Sequence, residues 1–203
     1  MVKRLIDIIF SIIMVLMLLP LFSVIFILIK LEDAGPVFYR GLRVGMDGRI
    51  FKIFKLRTMI INAEENGCFS TKSDDLRITK MGKFIRKYNL DELPQFINVI
   101  KGEMSIVGPR PEVKKYVDMF TEEEKFILTV RPGITDWSTI WISDEGKILA
   151  GSNDPDKDYV ERIRPQKLRL QLKYARNHSL TTDFKIMLET LKVHLINRIR
   201  NKN

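Results

Sequence analysis

Apolar residues are spread unevenly along this chain. They fill residues 8–29 without a single charge, thin into short alternating runs, then recur at helical spacing toward the end. At about 1.5 Å per residue, a helix over the first run is long enough to cross a hydrocarbon core of roughly 30 Å. No small-residue cleavage site follows it, which disfavours a signal peptide. Pro20 falls mid-run, where it removes a backbone donor and crowds the Leu16 carbonyl, predicting a bend or break at Leu19-Pro20. The flanks also matter, because positive flanks prefer the cytoplasm. Lys3 and Arg4 precede the run, and Lys30, Arg40, Arg43 and Arg49 follow it, so both ends favour the same side. Crossing and re-entry both stay open on this pattern. Re-entry requires partners for the backbone groups freed at Pro20, such as the Ser23 hydroxyl or interfacial water.

Residues 37–59 change the period. Asp47-Gly48 lies between two runs rich in Val, Ile and Phe, which predicts a β-hairpin. Alternation in the second run puts Phe51, Ile53, Lys55 and Arg57 on one face. Two cations among apolar neighbours suggest groups aimed at a phosphate, while a charged edge that discourages aggregation explains them equally well. Gly41, Gly45 and Gly48 do not match the dinucleotide fingerprint, and no helical pattern follows them, so a Rossmann site is excluded. Residues 62–75 are polar and turn-rich, predicting a loop or short helix.

Helical spacing then takes over. Residues 79–88 form a basic helical segment, and Leu93, Phe96, Ile97, Ile100 and Met104 give the next helix a buried face. Pro94 belongs in that helix's first turn, placing its start at about residues 89–91. Residues 154–158 form a polar turn, and residues 165–178 form a basic helix with Leu168, Leu170, Leu172 and Tyr174 on mixed faces. Ser179 caps a final helix in which Phe184, Met187, Leu188, Leu191, Leu195 and Ile199 recur among Lys and Arg. That helix either packs on the domain with a solvated basic face or lies on an anionic membrane surface.

Composition narrows the partners. The 203 residues are 45% hydrophobic and 29% charged, enough for one folded domain with an appendage. A net charge of +9 implies an anionic partner, without choosing among nucleic acid, lipid and phosphorylated small molecules. Cys68 is the only cysteine, so no intramolecular disulfide can form and a reducing compartment is the simpler reading. His178 and His194 are too far apart in sequence for a zinc site of ordinary ligand spacing.

The chemistry concentrates in residues 91–112, DELPQFINVIKGEMSIVGPRPE. Asp91 and Glu92 sit at a helix start, where the partial positive charge favours ionised carboxylates. Asn89 and Glu92 also have the spacing of a capping box, a purely structural role. Pro109 and Pro111 stiffen the backbone around Arg110, and a guanidinium suits bidentate contact with phosphate oxygens. Together with Lys55, Arg57 and Arg86, these groups outline a site for phosphoryl chemistry. Because carboxylates repel phosphate, a divalent metal is expected between them, Mg²⁺ by preference, held by Glu92 and Asp91. One acid then holds metal while the other attacks phosphorus.

Asp91-Glu92-Leu93-Pro94-Gln95, Asn98-Val99, Lys101-Gly102, Met104-Ser105 and Val107-Gly108-Pro109-Arg110-Pro111-Glu112 resemble the bacterial sugar transferase family, small monotopic phosphoglycosyl transferases. The likeness extends to Arg43-Val44-Gly45, Lys55-Leu56-Arg57-Thr58-Met59, Arg77-Ile78-Thr79 and Arg131-Pro132-Gly133-Ile134-Thr135. This resemblance implies transfer of a sugar phosphate from a UDP-sugar to a polyprenyl phosphate, usually undecaprenyl phosphate, releasing UMP and initiating glycoconjugate assembly. It implies a covalent route in which Asp91 carries the phosphosugar and Glu92 engages Mg²⁺. Arg110 then holds phosphate oxygens, with Arg57 and Arg86 as secondary candidates.

It also implies an α+β fold: residues 1–33 as a re-entrant membrane helix broken at Pro20, and residues 34–203 as a mostly helical catalytic domain with a small β-hairpin. Amphipathic interfacial helices would seat that domain on the cytoplasmic face of a bacterial inner membrane, against anionic lipid, as monomer or homodimer. Two departures stand out. The family's Ser-Pro break reads Leu19-Pro20, and residues 136–141 differ from the usual continuation after Thr135. Trp137 and Trp141 there suit core, interface or stacking roles. Direct attack by the lipid phosphate is the competing chemistry. A basic binding module for nucleic acid or lipid is the competing class, disfavoured by the paired acids in its most distinctive segment.

Overall fold

The computed structural model describes residues 1–63, 70–142 and 145–200. Cys68 and much of the polar segment at residues 62–75 therefore lie outside the described residues, as does the Ile199 side chain. The chain opens with helix α1, Val2–Glu32, which runs through Pro20 as one 31-residue helix without the interruption expected at Leu19-Pro20. Ser23, one turn beyond the proline, donates its hydroxyl to the Leu19 carbonyl at 2.9 Å and so serves the backbone there.

Both ends of α1 are fastened to the rest of the protein. Near its start, Lys3 pairs with Asp183, and buried Asp7 accepts the Ser105 hydroxyl at 2.8 Å. At its far end, Asp33 takes the Arg57 guanidinium, and Glu32 accepts the Lys80 and Met81 amides at 2.8 and 3.2 Å. One face carries Phe22, Ile25 and Ile29 into the interior, while Leu5, Ile9, Leu16, Val24, Ile27 and Leu31 stay exposed.

Short strands follow. β1 (Phe38–Tyr39) pairs antiparallel with β4 (Lys55–Leu56), and between them β2 (Leu42–Val44) and β3 (Ile50–Lys52) form the expected hairpin. Asp47 and Gly48 turn it with φ of 57° and 75°. The stretch that alternates as one strand is two, because β3 and β4 take different partners. Phe51, Ile53 and Arg57 are buried nonetheless, and Lys55 is half-buried.

Helix α2 spans Lys80–Lys87 and α3 spans Gln95–Lys101, joined through a 3₁₀ turn at Leu90–Glu92. β5 (Ser105–Val107) runs parallel to β6 (Gly133–Thr135), with the short helix α4 (Lys114–Val117) between them. Three short helices follow, α5 (Trp137–Trp141), α6 (Glu145–Ile148) and α7 (Pro155–Asp158), then α8 (Arg164–Arg176) and α9 (Leu180–Arg200).

The main core gathers Phe96, Val99, Met104, Ile106, Tyr174 and Ile186, so α3, β5, α8 and α9 meet there, with Phe10 and Met14 of α1 packed against it. A second cluster joins Ile25 and Ile29 to Leu56 and Ile85. The apolar residues of α9 divide: Ile186 is fully buried, whereas Phe184, Leu188, Leu191 and Leu195 form an exposed stripe.

Candidate active site

The acidic pair is placed by a backbone turn rather than by a helix cap. After α2, Asn89 adopts φ 53°, a left-handed conformation asparagine tolerates, and redirects the chain into the Leu90–Glu92 turn. The helix expected from about residues 89–91 therefore begins as a 3₁₀ turn, and α3 proper starts after Pro94. No capping box forms: the Asn89 side chain makes no cap bond, and Glu92 turns elsewhere.

Glu92 is surrounded by cations. Arg110 donates Nη1 to Oε2 at 2.7 Å and Nη2 to Oε1, and Lys55 donates to Oε1 at 2.8 Å. Each has a structural reason to be there. Lys55 opens β4 opposite Tyr39. Arg110 follows β5 across Gly108-Pro109, where a Cβ on Gly108 would lie 2.3 Å from the Arg131 carbonyl and one on Gly133 would lie 2.1 Å from the Gly108 nitrogen. Only glycines let these two segments press together, with Gly133 donating to the Pro109 carbonyl at 2.9 Å. Arg110 Nη1 is further held by the Ile134 carbonyl at 3.1 Å.

The two carboxylates are driven apart electrostatically. Burial pushes the Asp91 carboxyl above the usual carboxylate range and Glu92 adds to this, against a downward pull from Lys55 and Arg86. Burial opposes ionisation of Glu92 as well, but Arg110 and Lys55 outweigh it and hold Glu92 well below its ordinary value. The ionisation expected of both from a helix start thus occurs at Glu92, through Arg110 and Lys55 instead, and reverses at Asp91. Adjacent acids with opposed shifts are a mark of divided roles. Among the described residues no side chain donates a hydrogen bond to the Asp91 carboxylate, which meets only its own backbone amide.

The other expected cations differ in position. Arg86 faces the pair electrostatically, with Asp91 its leading acidic neighbour, and its Nε is held by the Thr58 hydroxyl at 2.8 Å. Arg57 is not brought to the pair: it donates to Asp33, to the Pro36 carbonyl and to the Met59 carbonyl at 3.2 Å, where α1 ends. Pro20 lies in α1, on its exposed side.

Among the described residues no three His, Cys, Asp or Glu side chains gather into a metal cluster. Asp91 has no side-chain donor and Glu92 Oε2 carries one, while Glu92 Oε1 is taken by Arg110 and Lys55, so each carboxylate keeps one position for a metal. That number suits Mg²⁺, which commonly takes one or two carboxylates and fills its octahedron with substrate phosphates and water.

Sequence reasoning missed a second charged group behind Arg110. Lys167, buried on α8, lies 2.9 Å from both Glu112 and Glu145 and 3.1 Å from the Tyr159 hydroxyl, which donates to Glu112 at 2.7 Å. Burial works against the Lys167 charge, yet Glu112 and Glu145 hold its pKa well above the ordinary value. Glu145 also acts on Arg110, after Glu92, in favour of its charged form. The available signal was spacing: Lys167, Gln171 and Tyr174 share a helical face, but a lysine in a basic helix reads as solvated. Asp136 is fully buried and caps α5 through the Thr139 amide at 2.8 Å. Trp137 packs on the main core, while Trp141 is exposed.

The site is thus an acidic pair in which an arginine between prolines and a strand lysine bind one member, in a chain that opens with an apolar helix. Residues 1–197 match the bacterial sugar transferase family, and the chain belongs to that family. It is 38% identical over 197 residues to UDP-N-acetylgalactosamine-undecaprenyl-phosphate N-acetylgalactosaminephosphotransferase of Aeromonas hydrophila, covering 96% of this chain and 44% of the relative. It is 34% identical over 201 residues to UDP-glucose:undecaprenyl-phosphate glucose-1-phosphate transferase of Escherichia coli K12, covering 97% and 40%. Against exopolysaccharide production protein ExoY of Sinorhizobium fredii the identity is 34% over 211 residues, covering 97% and 86%. The chain thus spans less than half the length of the first two relatives and most of the third.

Proposed function

We propose that this protein transfers a sugar 1-phosphate from a UDP-sugar to undecaprenyl phosphate, with Asp91 as nucleophile. The Asp91 carboxylate attacks the β-phosphorus, the bond to the UMP oxygen breaks, and UMP leaves with that electron pair. An oxygen of the lipid phosphate then attacks the aspartyl phosphosugar, restoring the Asp91 carboxylate and giving the polyprenyl diphosphate sugar. Family membership, and the substrates in the relatives' names, support the reaction. The observation that carries the nucleophile assignment is the asymmetry of the pair: Glu92 is engaged by Arg110 and Lys55, whereas Asp91 is free of side-chain donors. Arg110, Lys55 and Arg86 supply positive charge for the diphosphate, and Lys55 and Arg110 can pass from Glu92 to phosphate oxygens as substrate enters. Mg²⁺, held by Asp91 and Glu92 Oε2, would neutralise diphosphate charge. Arg57, bound to Asp33, anchors α1 in this reading.

The apolar exposed face of α1 supports a membrane seat, and its two fastened ends support a helix that enters and leaves on one side, bending at Pro20. Incubation with UDP-sugar alone tests the chemistry. UMP release with a phosphosugar mass on residue 91, absent in Asp91→Asn, is expected; full activity in Asp91→Asn would refute it. A donor cleaved only when lipid is present would favour direct attack by the lipid phosphate, the reading that the raised Asp91 pKa favours.

A further inference from the structure

At the end of α3 opposite the acidic pair, two arginines converge. Arg4, in the first turn of α1, donates to the Ile100 carbonyl at 3.2 Å and to the Met104 carbonyl at 3.4 Å. Arg131, just before β6, donates Nε to the Gly102 carbonyl at 3.1 Å. These contacts cap the helix, whose C-terminus carries roughly half a negative charge, but two full guanidinium charges exceed that need. Among the described residues no carboxylate lies within ion-pair distance of either one. Lys3 is committed to Asp183, and Asp7, the acid that acts on Arg4, is turned to the Ser105 hydroxyl and the Ile106 amide. Burial, then Arg131, lower the Arg4 pKa, as expected for a guanidinium facing a like charge.

Both arginines, with Lys3, Asp7, Tyr174 and His178, wall a cavity of about 430 Å³. Its setting is apolar on two sides: Val2, Leu5 and Ile6 are exposed on α1, and Leu180 and Phe184 are exposed at the start of α9. We propose that this cavity holds the phosphodiester of an anionic glycerophospholipid, with Arg4 and Arg131 binding its oxygens and the acyl chains lying along α1 and α9. A zwitterionic choline headgroup would bring a further cation to a site that already has an excess. The acceptor lipid is a poor match, since Lys55, Asp91, Glu92 and Arg110 do not line the cavity, and the seven residues of α3, about 10 Å of helix, intervene. The inference rests on the membrane seat proposed for α1.

Native mass spectrometry of the full chain in detergent tests it, using dihexanoyl phosphatidylglycerol against dihexanoyl phosphatidylcholine. The expected result is a preference of at least tenfold for phosphatidylglycerol, lost in Arg4→Gln/Arg131→Gln. Thr129→Asp, on the exposed cavity wall and outside the α3 cap, should weaken it similarly and decides the matter should the double variant not fold. Equal affinity in wild type and Thr129→Asp would overturn the site. Displacement by inorganic phosphate at equal concentration would make it a free-anion site, and displacement by undecaprenyl phosphate would make it the acceptor site; either overturns the proposal. Flotation with phosphatidylcholine vesicles reads the membrane seat separately, because it depends on apolar faces common to wild type and variants.

Discussion

Asp91 and Glu92 are neighbours in sequence with opposite effects on stability. The folded protein holds a proton on Asp91 to higher pH than an unfolded chain would, so its ionisation costs stability as pH rises from the ordinary value of 3.8 through the folded one. Asp91→Asn removes that cost, and is expected to stabilise the free protein by about 0.5–2 kcal/mol at pH 7, a gain that fades as pH falls through the folded value and is gone below 3.8. Glu92 contributes stability that is present above its ordinary value of 4.5 and is lost as pH falls from there through the folded value. Glu92→Gln should therefore destabilise by about 1–3 kcal/mol at neutral pH, because it leaves Arg110 and Lys55 partly enclosed without their counter-charge. Thermal unfolding of both variants from pH 3 to pH 8 gives the comparison, and destabilisation by Asp91→Asn at pH 7 would contradict it. Gains in stability on removing a reactive group accompany sites held in readiness for a ligand.

At the scale of elements, residues whose role is local were the legible ones. Asp47-Gly48 marks the hairpin because only a positive-φ turn joins those strands, and the stiff Pro109-Arg110-Pro111 loop brings its guanidinium to the acidic pair, on Glu92. Arg57 and Lys167 were not legible: alternation shows that Arg57 faces inward, but its partner Asp33 comes from another element. Spacing likewise shows that α9 has an apolar stripe, not what covers it. The apolar N-terminal helix raises the same problem, since Pro20 predicts a break that helical hydrogen bonding bridges, while the tethers Lys3–Asp183 and Asp33–Arg57 hold both ends to one body. Single cysteines at residues 2 and 34, in a Cys68→Ser background, should both be labelled from the cytoplasmic face of sealed vesicles. Labelling of only one would refute re-entry.

Across the whole molecule, the proposed seat on a negatively charged bilayer would draw on two kinds of force, through the +9 charge and the exposed apolar faces of α1 and α9. They can be separated by salt, because screening weakens attraction between exposed charges and leaves apolar burial nearly untouched. Leu188 and Leu191 are 43% and 59% exposed and lie on one side of α9, so replacing both with Glu removes membrane contact without opening the core. Each buried leucine is worth about 1.5–3 kcal/mol, and each glutamate adds repulsion from anionic lipid. Even with half of that area engaged, the double variant should lose about tenfold in partitioning to vesicles, equivalent to 1.4 kcal/mol, with its unfolding midpoint in detergent unchanged. High salt should reduce wild-type binding only in part, through loss of the charge contribution. If the variant partitions like wild type at both low and high salt, then α9 faces water, and α1 alone carries the protein on the membrane.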